Sequence, residues 1–280
     1  MSSNQHYKLT INKYDGNLNL VGELAKLIEN KYADLFYAVI VHGSVATKEV
    51  VPYSDFDGLL IVKDISITSK RLQRFKNESM KLILKFDPLQ HHGWFQITES
   101  QLLNYSESYL PIVILENAKC VFPKDINLRM DISVKGDIDY KSHLIKMLNQ
   151  FERRIKTNWE PKNMFQLKSI SSQIMLMPSL YYSAINNKGI FKSESFKAVR
   201  SNFNDDQWMP IETASTIRRK WNYKLNPIQK FMMQIPHSKA RKILRSIFSP
   251  KINSEFSLLM DADYYLNLDL LIKKIKSDIQ

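Results

Sequence analysis

Cysteine and glycine are scarce in this 280-residue chain, with one of the first and seven of the second. A lone Cys120 cannot close an intramolecular disulfide, so stability must come from a packed core, and Cys120 reads as a small apolar residue on a strand. No apolar run approaches the roughly 18 residues that a bilayer-spanning helix needs. The opening MSSNQHYKLTINKYDG is polar and lacks the apolar stretch of a secretory signal. These absences lead to the expectation of a soluble, cytoplasmic protein with no membrane partner. Several chemical signatures are missing too: no GxxxxGK[S/T], no GxGxxG, no CxxC, no HExxH and no GxSxG. A P-loop ATPase, a dinucleotide-binding dehydrogenase, a zinc enzyme and an α/β-hydrolase are therefore unsupported. Acidic residues run short in the second half. Residues 1–140 hold 16 Lys and Arg against 17 Asp and Glu, whereas residues 141–280 hold 24 against 11.

A 44% hydrophobic content supports a real core. The most informative stretch is residues 39–62, VIVHGSVATKEVVPYSDFDGLLIV. An apolar run, Phe36 to His42, reads as a strand stopped by Gly43. Ten residues lie between Ser44 and Asp55, and Asp57 follows one residue later at the head of a second apolar run, Phe56 to Val62. Side chains alternate along a strand, so Asp55 and Asp57 share a face. Two carboxylates that close repel unless a cation or a shared proton lies between them. Gly43 permits close backbone approach, and Ser44 adds a hydroxyl, which together suit a phosphate. Lys48 is a further candidate for a phosphate contact. Taken singly, each element has a plainer explanation: a strand-to-helix turn, or two solvated aspartates at a strand edge.

The combination of apolar strand, Gly43-Ser44, the ten-residue gap and Asp55-Phe56-Asp57-Gly58 resembles the signature of the DNA-polymerase-β-like nucleotidyltransferase superfamily. The resemblance covers residues 39–62 as a motif and residues 1–125 as an organisation. It implies a small mixed sheet flanked by helices, a nucleoside triphosphate such as ATP seated on the Gly43-Ser44 turn, and Mg²⁺ or Mn²⁺ held by Asp55 and Asp57. It also implies a third carboxylate at the start of the next core strand. Here that strand reads DPLQHHGWFQI and contains no Asp or Glu after Asp87. Three readings stay open: His91 or His92 replaces the carboxylate as base or metal ligand, Asp87 reaches in from the preceding loop, or the position is empty and the site binds without catalysis. On a regular strand His92, Trp94 and Gln96 would share one face.

Elsewhere in the first half, residues 18–34 and 67–84 show apolar residues at helical spacing. Residues 90–97 and 118–122 read as strands, and Thr98 with Gln101 has the form of a capping box before a short helix. Beyond residue 137 strand signals nearly vanish, and helices are expected at 141–155, 164–185 (broken near Pro178), 193–203, 211–223, 238–248 and 264–279. The expected fold is therefore α+β, with a nucleotidyltransferase core over residues 1–130 and a basic helical bundle over residues 131–280 that binds the acceptor.

In the helical half, Lys192, Lys197 and Arg200 lie on one expected helix, and Arg218, Arg219 and Lys220 adjoin Trp221 and Tyr223. Cations beside aromatic faces can hold phosphates and stack a base. The plainer reading turns the cations to water and Trp221 to the core. The functional expectation is a metal-dependent nucleotidyltransferase acting on an acceptor hydroxyl of RNA, protein or a small molecule, the basic half favouring an anionic acceptor. The alternative is a catalytically degenerate module of the same fold that binds nucleotide or RNA. An antibiotic nucleotidyltransferase or a toxin or defence component stands behind both.

Overall fold

The computed structural model describes residues 5–107, 110–135 and 138–279. Its elements run β1 (Gln5–Ile11), α1 (Asn19–Lys31), β2 (Phe36–His42), α2 (Gly43–Thr47), β3 (Asp57–Val62), α3 (Lys70–Phe86), β4 (Phe95–Thr98), β5 (Tyr105–Ser106), α4 (Ile112–Glu116), β6 (Lys119–Phe122) and β7 (Leu128–Lys135). Helices follow: α5 (Tyr140–Lys156), α6 (Met164–Ile174), α7 (Met177–Asn186), α8 (Lys192–Val199), α9 (Asp205–Arg219), α10 (Pro227–Met233), α11 (Ser238–Phe248), α12 (Ser254–Leu258) and α13 (Ala262–Ile279). The fold is α+β, with two small mixed sheets and many helices. Among the described residues, no helix is long and apolar enough to cross a membrane.

The chain divides into two compact units, residues 1–138 with 226–248, and residues 139–225 with 249–280. In the first unit a four-stranded sheet has the order β4-β3-β2-β6. β2 is antiparallel to both β3 and β6, and β4 runs parallel to β3. β2 and β3 are apolar on both faces because both faces are covered. On one side lie α1 and α3, which contribute Leu24, Ile28, Leu72, Phe75 and Ile83. On the other side Ile40, Leu59 and Ile61 meet Ile11, Met130 and Ile132 from a three-stranded sheet of order β1-β7-β5.

Several expectations from the sequence are altered here. β1 and β7 pair antiparallel from Gln5↔Val134 to Ile11↔Leu128, a union of segments more than a hundred residues apart that no local pattern announces. The alternation Leu128, Met130, Ile132, Val134 supplies the buried face of β7. The strand expected at residues 90–97 begins only at Phe95. The Thr98–Gln101 box forms, with each side chain accepting from the other's backbone N–H, but it opens a short 3₁₀ turn. The boundary near residue 130 moves to 138 because β7 runs on to Lys135, inside the first unit.

Residues 226–248 also differ from the expected split at 131, since they pack with the first unit. Asn226 and Gln229 form a capping box that starts α10, with Pro227 at the first helical position. α11 is fastened by Arg245, whose buried guanidinium donates through Nε to the Pro88 carbonyl at 2.9 Å, and by Arg241, whose Nη1 reaches Met80 Sδ. Five cations that the sequence assigns to the second half therefore belong to the first unit: Lys230, Lys239, Arg241, Lys242 and Arg245.

The second unit is helical, with α5 to α9, α12 and α13 among its described residues. The break near Pro178 is real: α6 ends at Ile174, and Pro178 sits in the first turn of α7, where its missing N–H costs nothing. α13 buries Leu268, Leu271, Ile272 and Ile275, one stripe at helical spacing, and packs along α9 and α5.

Candidate active site

The motif residues meet where β2 ends and β3 begins. His42 is the register partner of Asp57, so the two sit opposite each other on one face of the sheet. Gly43 follows with φ of +62° and opens α2. That left-handed backbone disfavours any residue with a β-carbon. The Asp57 carboxylate tightens the demand, since a β-carbon on Gly43 would stand 3.0 Å from its Oδ2. Ser44 follows in the first turn of the same short helix.

Asp55 and Asp57 flank Phe56, which turns inward and packs edge-on against Trp94. With Phe56 pointing in, its two neighbours point to the opposite side. What holds this stretch straight is a residue that the sequence reading did not single out. Gln90 is buried, its Oε1 accepts from Phe56 N at 2.8 Å, and its Nε2 donates to Phe56 O at 2.8 Å. Its Nε2 also reaches His92 O at 3.2 Å. One side-chain amide thus supplies the donor and acceptor that a neighbouring strand would have supplied, in the stretch before β4 joins β3 at the Leu59↔Phe95 pair. This is also why residues 90–94 are not a strand. The signal in the sequence was only a glutamine between two apolar segments, too common to be noticed.

Trp94 lies over Gly58, where any β-carbon would collide with its ring at 2.3 Å, and its indole N–H donates to Ser79 Oγ at 2.8 Å. Trp94 therefore belongs to the α3 side of the sheet. His92 belongs to the other side, with its ring 6.2 Å from Phe95, whose own ring is 5.6 Å from His42. The expected sharing of one face by His92, Trp94 and Gln96 fails because the residues from 90 to 94 lack strand pleat. His91 stands beside the first carboxylate: its Nδ1 is 3.8 Å from Asp55 Oδ2, and both side chains are largely buried.

Burial holds the His42 imidazole well below its ordinary value, at about 4, with the neighbouring His92 charge pushing the same way. His42 is thus neutral at physiological pH, and its Nε2 is buried with no hydrogen-bond partner among the described residues. Burial also pushes the Cys120 thiol up to about 11, which fits a core residue on β6.

The remaining candidates are placed elsewhere. Lys48, with φ of +61° just past α2, forms an exposed ion pair with Asp15 at 2.7 Å. Asp87 is buried at the end of α3, where its Oδ1 accepts from Leu89 N. Among the described residues, no three His, Cys, Asp or Glu side chains gather closely enough to hold a metal ion. Lys192, Lys197, Arg200, Arg218 and Arg219 all lie in the second unit. Arg200 is engaged locally, donating to Phe203 O and Asp205 and lying over the Trp208 ring. Arg219 donates to Thr216 Oγ1, and Lys220 pairs with Glu255. Trp221 is buried and stacked on Phe256, so it is core and no platform for a base. A cleft of about 470 Å³ opens elsewhere on the first unit, with Lys13, Asn19, Lys26, Cys120 and Lys124 among its walls, and no motif residue lines it.

No family model matches this chain, and no curated protein matches it. Among solved structures it is similar to the spectinomycin adenyltransferase AAD(9) from Enterococcus faecialis with ATP and spectinomycin. The identity is 12%, the match covers 84% of this chain and 100% of that one, and the TM-score is 0.39, a likeness too remote to assign any residue a role.

Proposed function

We propose that this chain is a metal-dependent nucleotidyltransferase whose centre is Gly43, Ser44, Asp55 and Asp57. The observation that carries the reading is the approach of the Asp57 carboxylate to the Gly43 backbone at positive φ. The donor set fits Mg²⁺ or Mn²⁺, because both are hard ions commonly held by one or two carboxylates and completed by substrate phosphates and water. Asp55 and Asp57 would hold the ion, which when bound would neutralise phosphate charge in the transition state. The start of α2 offers backbone N–H groups and the Ser44 hydroxyl to phosphate oxygens. An acceptor hydroxyl attacks the α-phosphorus in line, forming a P–O bond as the bond to the departing pyrophosphate breaks. Its proton goes to a base, for which His91, 3.8 Å from Asp55, and His92 are the candidates. The acceptor class is an anionic polymer such as RNA, a protein hydroxyl or a small molecule, and the basic composition of the second unit, with Lys192, Lys197, Arg200, Arg218 and Arg219, favours the anionic one.

A second reading is a nucleotide-binding module without turnover. The observation favouring it is that no three His, Cys, Asp or Glu side chains among the described residues gather closely enough to hold a metal ion. Label transfer separates the two. The chain is incubated with each α-labelled nucleoside triphosphate, Mg²⁺ or Mn²⁺ and host extract, alongside Asp55→Ala/Asp57→Ala. Label entering an RNA, protein or small-molecule fraction only with the unaltered chain supports the enzyme. Nucleotide binding with no transfer under any condition supports the module.

A further inference from the structure

We infer that the α10–α11 hairpin is a docking element for an anionic phospholipid surface. Large apolar side chains exposed singly are ordinary, and Ile65, Leu103 and Leu258 are examples here. The hairpin is different because four of them crowd into two short helices: Ile228 (66% exposed), Phe231 (70%), Ile243 (61%) and Ile247 (66%). Their spacings, three residues in α10 and four in α11, place each pair on one helix face. The opposite face of α11 is the anchored one, through Arg241 on Met80 and Arg245 on the Pro88 carbonyl. The exposed stripe is therefore held outward by construction.

The charge says what kind of surface covers it. Residues 226–248 carry five Lys and Arg and no Asp or Glu, and of the five Arg241 and Arg245 are turned to the anchored face. Lys230 stands exposed beside Phe231, and Lys242 beside Ile243. Apolar side chains with interleaved lysines match an interface that is apolar beneath and negatively charged at its surface. Lysines reach up to the headgroups while Ile and Phe enter the acyl boundary. Among the described residues no helix is long and apolar enough to cross a membrane, and attachment at the surface requires none. This inference is independent of the proposed chemistry.

The test is flotation of the full chain with phosphatidylglycerol/phosphatidylcholine vesicles against phosphatidylcholine alone, with size-exclusion chromatography in parallel. The expected result is partition onto the anionic vesicles only, weakened by salt. Lys230→Gln/Lys242→Gln should weaken it about 30-fold, and Phe231→Ser/Ile243→Ser/Ile247→Ser should abolish it without lowering Tm, since these side chains are exposed. Failure to bind anionic vesicles at low salt overturns the inference. So does equal binding by the serine variant, or self-association that the serine variant removes, which would assign the face to a second copy of the chain.

Discussion

The Asp57 carboxylate lies against the Gly43 backbone, so that a β-carbon added to Gly43 would meet Asp57 Oδ2 at 3.0 Å. Neither residue can change without consequence for the other. Gly43 also sits at φ of +62°, where an L side chain costs about 1–2 kcal/mol. Gly43→Ala should fold with a Tm lowered by a few degrees, yet lose about 100-fold in label transfer, because a small displacement of Asp57 or of the phosphate turn spoils alignment. Transfer within twofold of the unaltered chain would show that this contact does not organise the site.

Gln90 stands in for a strand, and its removal leaves Phe56 N–H and C=O buried without partners. Gln90→Leu should cost about 2–5 kcal/mol in urea unfolding, on the scale of leaving two buried backbone groups unmade. Gln90→Glu keeps the acceptor for Phe56 N–H but, when ionised, loses the donor for Phe56 O. Its folded pKa should be raised, so its deficit relative to the unaltered chain should be smallest in acid and grow as the pH rises. A deficit independent of pH would show that the amide's donor hydrogen is unimportant.

His42 makes stability sensitive to acid in a stated window. Its folded pKa lies at about 4 against an ordinary value of 6.5, so folding favours the neutral form. The stabilising difference is complete above pH 6.5 and is lost as the pH falls towards 4, amounting to about 3 kcal/mol at full extent. Thermal unfolding across this range, without added metal, should show His42→Leu losing less stability in acid than the unaltered chain. Parallel pH curves would rule the residue out as the source.

In the second unit Trp221 and Arg219 should behave oppositely. Trp221 is buried on Phe256, and Trp221→Ala should cost about 3–5 kcal/mol as a cavity-forming change. Arg219→Ala, at the exposed end of α9, should stay within about 0.5 kcal/mol. Chemical denaturation of both variants checks the contrast. A stable Trp221→Ala that loses RNA or nucleotide binding would return that tryptophan to the ligand.

Much of the first unit was legible in residue order because its signals are local. The apolar runs of β2 and β3, the Gly43 break, the pair Asp55 and Asp57 around an inward Phe56, and the stripes of α1 and α3 each depend on residues within one turn or one pleat of each other. The His91–His92 step was legible as an oddity but was given to a strand, since nothing within ten residues reveals that the Gln90 side chain takes the strand's place.

The sequence by itself determined the α+β class, the order of most helices, the Gly-Ser and Asp-x-Asp spacing and the fate of Cys120, all consequences of periodicity and backbone sterics. Only the tertiary structure decided that β1 pairs with β7, that Gln90 straightens the carboxylate segment, that His91 stands 3.8 Å from Asp55, that Trp221 is core, and that residues 226–248 carry their cations to the first unit. Each of these is a contact between segments far apart in the chain. Its free energy depends on which surfaces are brought together, and no window of neighbouring residues contains that information.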